Sequence, residues 1–238
     1  MTFPNYLPPT TYYLPPTTIF DKINDDMKKV LYIFGVLAIG IAAYSFTVAD
    51  PETLAIGAAA PKTDLKMDGI DGKSVSLSDL KKANGLAVIF SSNTCPFVVG
   101  AEGYGEGWET RYLGLQKAAG TYNVGLVLIN SNEAKRANGE SMEDMKKRAT
   151  EKRFSNVAYL LDKNSELANA FGARTTPHVF LFDKDMKLVY RGAIDNNNES
   201  AAKVTDAYLE KAMINLSQGK AINPAETKAT GCGIKRVG

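Results

Sequence analysis

The sequence predicts an α/β domain with a central mixed β-sheet flanked by helices, and three observations carry that expectation. Two continuous apolar runs of strand length, GLAVIFSS (Gly85–Ser92) and NVGLVLIN (Asn123–Asn130), lack polar alternation, as strands covered on both faces do. Helical stretches separate such runs along the chain, which favours sheet and helices in one packed unit. Late in the chain, HVFLFD (His178–Asp183) and KLVYRGAI (Lys187–Ile194) flank Lys184-Asp185-Met186 and read as an antiparallel hairpin.

The remaining elements come in order. SMEDMKKRATEKRF (Ser141–Phe154) opens with Ser141 and has Asp144 three residues on, the signature of a capping box before a helix. VAYLLD (Val157–Asp162) is a third apolar strand, and SELANAFG (Ser165–Gly172) is a short helix stopped by glycine. Ser200–Gly219 reads as an amphipathic helix, with Val204, Tyr208, Ala212 and Leu216 spaced by four. After Ile222 the chain is polar and contains glycine, apart from Cys232.

The chain has 238 residues, 45% hydrophobic and 23% charged, which suits one globular domain with appendages. A formal charge of +2, with no basic run interleaved with aromatics, argues against nucleic-acid binding. One histidine and two cysteines cannot supply the four ligands of a structural zinc site, so no metal is expected.

Residues 1–26 read as a non-globular extension. Met1–Phe20 is uncharged and holds the repeat YLPPTT at Tyr6–Thr11 and Tyr13–Thr18, which suits polyproline II or an unfolded arm. From Met27 the pattern changes: two lysines precede an uncharged run, Val30–Ala49, that ends in Thr47-Val48-Ala49. Segment 27–49 therefore reads as a secretory signal, and a start at Met27 would make residues 1–26 a mis-assigned extension. The uncharged run is also close to the roughly 20 residues a membrane span needs, so an uncleaved anchor competes. Either reading delivers the folded part outside the cytoplasm, to the periplasm or cell envelope, where disulfides persist.

Cys95 lies just past a buried strand, and Pro96 suits the first position of a helix. A thiol at a helix N-terminus is favoured as thiolate, whereas a buried cysteine in a core is a small apolar group; both readings stand on this stretch alone. Pro177 immediately before a predicted strand is either punctuation or part of the same site. His178 beside it is a tuning group for the thiol or a satisfied side chain. The glycine-rich GAEGYGEGWE (Gly100–Glu109) breaks the helix after Cys95. It leaves three possibilities: a restart near Trp108, a lid facing the substrate, or a plain solvent loop.

The segment from about Ile56 to Gly219 resembles the redoxin branch of the thioredoxin superfamily, near the peroxiredoxins (AhpC/TSA-related) and the TlpA/ResA-like oxidoreductases. The residues that carry the resemblance are Ala60-Pro61 and Asp71-Gly72 ahead of SLSDL, SSNTCPFV, LVLINSNE, ARTTPHVFLFD and LVYRGAID. Among redoxins, a peroxiredoxin-like subfamily with a C-P-[FY]-V motif and a Gly-Cys-x-Ile-Lys tail is most similar, since this chain ends TGCGIKRVG.

The resemblance implies a thioredoxin-like domain over residues 54–220 and a cysteine-containing tail over 221–238. It also implies a cis Thr176–Pro177 bond beside Cys95. Two departures matter. The P-x-x-x-[TS]-x-x-C spacing of peroxiredoxins meets Val88 and Ser92 here, so only the hydroxyl is kept, and Arg174 or Arg191 is left as a possible cation near the thiolate. Val98 stands where a C-x-x-C site has its second cysteine, and with Val99 it also argues against copper binding.

The resemblance thus implies an exported thiol–disulfide oxidoreductase or thiol peroxidase without cofactor. Cys95 is its expected nucleophile, and Cys232, on a mobile glycine-flanked tail, is its expected partner. Thr94, Pro96, Thr176 and Pro177 are expected to form the substrate groove. The expected partners are a thiol, disulfide or peroxide substrate and an external thiol reductant, with membrane attachment possible through 27–49. Two alternatives remain: a plain structural disulfide between the two cysteines, and a non-catalytic module binding extended peptides around Cys95 and Pro177.

Overall fold

The computed structural model describes residues 52–237, so the YLPPTT repeat and the leader-like run fall outside the described residues. The strands are β1 (Met67–Gly69), β2 (Ser74–Val75), β3 (Leu86–Ser91), β4 (Gly125–Asn130), β5 (Ala158–Leu161), β6 (Thr175–Thr176), β7 (His178–Phe182), β8 (Leu188–Gly192) and β9 (Cys232–Gly233). The α-helices are α1 (Leu77–Leu80), α2 (Pro96–Val99), α3 (Tyr112–Thr121), α4 (Met142–Glu151), α5 (Glu166–Phe171) and α6 (Tyr208–Ser217).

Seven strands form one sheet in the order β2-β1-β5-β4-β3-β7-β8, and β6 pairs with β9 apart from it. The centre is parallel, β3 with β4 and β4 with β5, while β7 runs antiparallel to both β3 and β8. This is the expected mixed sheet of a thioredoxin-like α/β fold.

The unbroken apolar runs are explained by burial on both faces. Alternate residues of β3 divide between two cores: Ala87 and Ile89 pack with Leu115 of α3, Met145 of α4 and Met213 of α6. Leu86, Val88 and Phe90 pack on the opposite face with Leu77 of α1 and Phe171 of α5. There Phe90, Phe171 and Phe180 meet edge to face, with ring centroids 5.2–5.7 Å apart.

Local signals place the helices. The Ser141 hydroxyl accepts from Asp144 N, and the Asp144 carboxylate accepts from Ser141 N, both at 3.1 Å. This is the expected capping box, at the start of α4. Buried Asp162 accepts from Leu167 N and Ala168 N at 2.9 and 3.0 Å and satisfies the first turn of α5.

The helix predicted over Ser200–Gly219 is shorter, since α6 begins only at Tyr208. Side-chain acceptors claim the amides that a longer helix needs: Asn197 Oδ1 takes Ser200 N, Glu106 Oε2 takes Ala201 N, and Asn196 Oδ1 takes Thr205 N and Asp206 N.

Of the three readings of the glycine-rich stretch, the restart holds. α2 stops at Gly100, and a 3-10 turn at Trp108–Arg111 leads into α3. Gly105 and Gly107 have φ of 79° and 72° and lie so close to Glu199 and Gly100 that a Cβ would sit 2.3 Å from backbone atoms. Asp195 anchors the restart, accepting from Trp108 Nε1 at 2.7 Å and Arg111 Nε at 3.1 Å.

The tail corrects an expectation: it is docked rather than a free arm. β9 pairs antiparallel with β6, Thr175 opposite Gly233 and Thr176 opposite Cys232. Ile234 is buried in the second core, with its N–H on Arg174 O at 3.0 Å. Lys235 accepts from Ala134 N and donates its own N–H to Asn132 Oδ1, both at 2.9 Å. Further upstream, Arg191 N donates to Ala225 O and Thr227 N to Arg191 O, each at 3.0 Å, so the polar segment also lines the β8 edge. Gly231 permits the close pass, because a Cβ there would meet Thr176 O at 2.1 Å. Glycine in the tail serves close packing as well as reach. Among the described residues no helix is long and apolar enough to cross a membrane.

Ile234→Ala should lower stability by about 2 kcal/mol and speed hydrogen exchange at the Ile234 amide by more than at strand β3. Urea unfolding with site-resolved exchange measures both; equal acceleration of exchange at the two sites contradicts the docking.

Candidate thiol site

Cys95 occupies the cap position before α2 with Pro96 at the first helical position, as the sequence implies. The amides at that helix start are mostly committed. Cys95 N donates to Ser92 Oγ at 3.0 Å, Pro96 has no N–H, and Val98 N donates to Cys95 O at 2.8 Å. The Phe97 amide is left over, and its influence falls on Cys232. A four-residue helix with one free amide is a weak dipole.

The Cys95 Sγ–H donates to Thr176 O at 3.0 Å, and Thr176–Pro177 is cis, as expected. Cys232 sits across from Thr176 in β9 and lines the same cavity as Cys95. Both cysteines are free. Burial pushes the Cys232 thiol up to about 11, the hydrogen bond and charge of Cys95 add to the rise, and Lys235 and the Phe97 amide oppose it.

Both sulfurs line one cavity of about 310 Å³, shared with Thr94, Thr176, Lys135 and Lys235. Of the four residues expected to form a groove, Thr94 and Thr176 line this cavity, whereas Pro96 and Pro177 do not. Each proline directly follows a residue that does line it, Pro96 after Cys95 and Pro177 after Thr176. Thr176 is 1% exposed, and its hydroxyl has no hydrogen-bond partner among the described residues.

Arg174, Arg191 and His178 lie elsewhere. They line a second cavity, with Glu52, Glu226 and Lys228, and Cys95 is not part of it. Arg191 is held by the carbonyls of Thr53 and Leu54 and by Glu226. His178 is buried and its Nδ1 accepts from Arg174 N at 3.3 Å. Burial lowers His178 to about 4, with the charges of Arg191 and Arg174 adding to it. It is a satisfied strand histidine rather than a partner of the thiol.

The residue that sequence reading missed is Glu140. It is fully buried, and its carboxylate accepts six hydrogen bonds: from the Ser92 and Thr94 hydroxyls, from the amides of Asn93 and Thr94, and from the side chains of Asn130 and Asn132. Four of the six come from the turn that leads to Cys95. Ser92 in turn accepts from Thr94 N at 3.1 Å as well as from Cys95 N, so the one hydroxyl kept from the peroxiredoxin spacing orients backbone. Tyr159 OH closes the network on Asn93 Oδ1 at 3.0 Å. Glu140 sits one residue before a capping box, in a loop with no periodicity, and nothing in that stretch distinguishes it from a solvent-exposed glutamate.

Glu140→Ala should cost about 3 kcal/mol, because it strands several buried donors at once, and Glu140→Gln clearly less. Urea unfolding of both variants measures the difference. A second expectation concerns acid. Between pH 6.5 and 4 the unfolded chain binds a proton at His178 that the folded chain refuses, so stability falls as pH drops through that window. The loss from His178 reaches about 3 kcal/mol near pH 4. In His178→Gln the fall of stability across this window should be shallower by that amount, as read from urea midpoints at several pH values.

The Redoxin family pattern matches residues 55–209. Among solved structures the chain is similar to an uncharacterized conserved protein from Geobacillus kaustophilus at 32% identity, covering 78% of this chain and 94% of that one with a TM-score of 0.68. It is also similar to a hypothetical protein from Sinorhizobium meliloti at 30% identity, covering 78% of this chain and 97% of that one with a TM-score of 0.65. Among curated proteins nothing matches the chain. With most of the folded part matched, a thioredoxin-like sheet and a cysteine set against a Thr-Pro turn, the chain belongs to the Redoxin family.

Proposed function

We propose that this redoxin is a thiol-dependent oxidoreductase of the peroxiredoxin-like C-P-[FY]-V type, in which Cys95 attacks and Cys232 resolves. The observation that carries the reading is the meeting of the chain's only two cysteines at one solvent-reachable cavity.

The chemistry balances with two electrons. With a hydroperoxide, Cys95 Sγ attacks the distal oxygen, the O–O bond breaks, the alcohol leaves, and Cys95 becomes a sulfenic acid. Cys232 then attacks that sulfur, expelling water and leaving a Cys95–Cys232 disulfide. With a small disulfide, Cys95 displaces one thiol to give a mixed disulfide, and Cys232 displaces the second. An external dithiol returns the two electrons and closes the cycle.

The electrostatics favour this order. Once Cys95 is capped, its influence no longer holds the Cys232 proton. Burial, the largest influence raising Cys232, remains, while Lys235 and the Phe97 amide favour its thiolate.

Export through segment 27–49, to an extracytoplasmic compartment where such a disulfide persists, is part of the same reading. The competing peptide-binding module is disfavoured, since the backbone edge of β6 is already paired by β9.

Oxidation of the reduced protein by one equivalent of hydrogen peroxide should remove both free thiols and yield a Cys95–Cys232 cross-linked peptide on non-reducing digestion. Cys95→Ser should abolish turnover with a dithiol reductant, and Cys232→Ser should trap sulfenic acid on Cys95. Sulfinic acid on Cys95 with Cys232 still free assigns resolution to an external thiol, and unchanged turnover in Cys95→Ser overturns the reading.

A further inference from the structure

We infer that the site takes a small oxidant bearing a carboxylate, and that the docked tail excludes extended peptides from the sulfurs. The inference rests on the thiol chemistry proposed above and adds a substrate class to it.

Size is decided by the tail. An extended peptide would reach Cys95 by pairing with the free backbone edge of β6, the usual way a short strand recruits a partner. That edge is taken, Thr176 by Cys232 and Thr175 by Gly233. The strap is held beyond the paired residues, by buried Ile234 and by the two backbone bonds of Lys235 to Ala134 and Asn132. What remains open to the sulfurs is the cavity of about 310 Å³. This is at the small end of ligand sites, about 300–1,000 Å³, and suits a molecule rather than a chain.

Charge is decided by the lining. Lys135 and Lys235 both line the cavity, and no carboxylate does. Neither ammonium has an ion-pair partner among the described residues. Their neighbours are accounted for: Glu133 pairs with Arg136 at 3.2 Å, and Glu140 lies below the floor with its oxygens committed to six donors. Lys235 is close enough to the reacting atoms for its charge to be felt at the Cys232 sulfur. The remaining lining polar groups include the side chain of Asn138 and the unpartnered Thr176 hydroxyl. Two cations beside two sulfurs, in a recess that a peptide cannot enter, select an anion attached to an S–S or O–O bond. In the disulfide case Cys95 forms the new S–S bond and the carboxylate-bearing thiolate leaves past the lysines.

Three disulfides of similar size separate charge from chemistry: 3,3′-dithiodipropionate (dianionic), bis(2-hydroxyethyl) disulfide (neutral) and cystamine (dicationic). Each is mixed with the reduced protein, and the loss of free thiols is followed by quenching and mass spectrometry. The dianion should react about tenfold faster than the neutral compound and the dication slowest, with the spread collapsing at about 1 M salt. Lys135→Glu combined with Lys235→Glu should invert the order of dianion and dication.

A second readout needs no redox step: adipate, but not 1,6-hexanediol, should slow alkylation of Cys95 by iodoacetamide. Equal rates for the three disulfides, an order unchanged in the double variant, or no protection by adipate overturns the anionic class. Protection by adipate with no oxidation by any disulfide or by hydrogen peroxide leaves the anion site standing and overturns the thiol chemistry instead. A carboxylate-bearing hydroperoxide that outpaces the dianionic disulfide assigns the oxidant to the peroxide source.

Discussion

The buried carboxylate of Glu140 is the constraint on which the site depends. It draws the turn after β3, the end of β4 and, through Asn93 and Asn130, the Tyr159 hydroxyl of β5 into one network. Strands end where their ladders run out of partners, and the loops beyond them usually have to be satisfied by water. Here a single side chain satisfies the backbone of Asn93 and Thr94 from inside the protein, and Ser92 passes the arrangement on to the Cys95 amide. The position of the sulfur is thereby set by hydrogen bonds behind it, leaving its front to Thr176 and Cys232. A carboxylate without a directly bonded cation is expensive to bury, and six donors are what make it tolerable.

The second organising contact is the β6–β9 pair. Two residues of strand are too few to stand alone, yet the pair is held on both sides, by β7, which follows β6 after Pro177, and by the anchoring of Ile234. It joins three roles in one small element. It covers an edge that would otherwise be open, brings Cys232 to Cys95, and sets Lys235 beside both. The glycines that flank Cys232 pointed to a mobile arm; the docked strand instead holds its sulfur at the cavity that Cys95 lines.

Two polar regions lie on either side of the Thr176–Pro177 turn. Thr176 serves the sulfur cavity, while Thr175 and His178 serve the other one. Arg174 and Arg191 line that second cavity as well, although the letters alone offer both equally to the thiol.

Features that depend on near neighbours were legible in the chain before any fold was known. The unbroken apolar runs at Leu86–Ser91 and Gly125–Asn130 became the doubly covered central strands, Ser141 with Asp144 became a capping box, and Pro96 opened the helix after Cys95. The Thr-Pro turn and both cysteines were also legible, because redoxins mark them with short motifs. What those residues face was settled by packing in three dimensions. Glu140 acts on residues more than forty positions away, and the amides of Ser200–Asp206 are withdrawn from a helix in part by Glu106, distant in sequence. The tail is bound to β6, with which it shares no local pattern. Periodicity and capping act within a few residues along the chain; a buried carboxylate or an edge strand finds its partners through space, and the spacing of letters carries no trace of that choice.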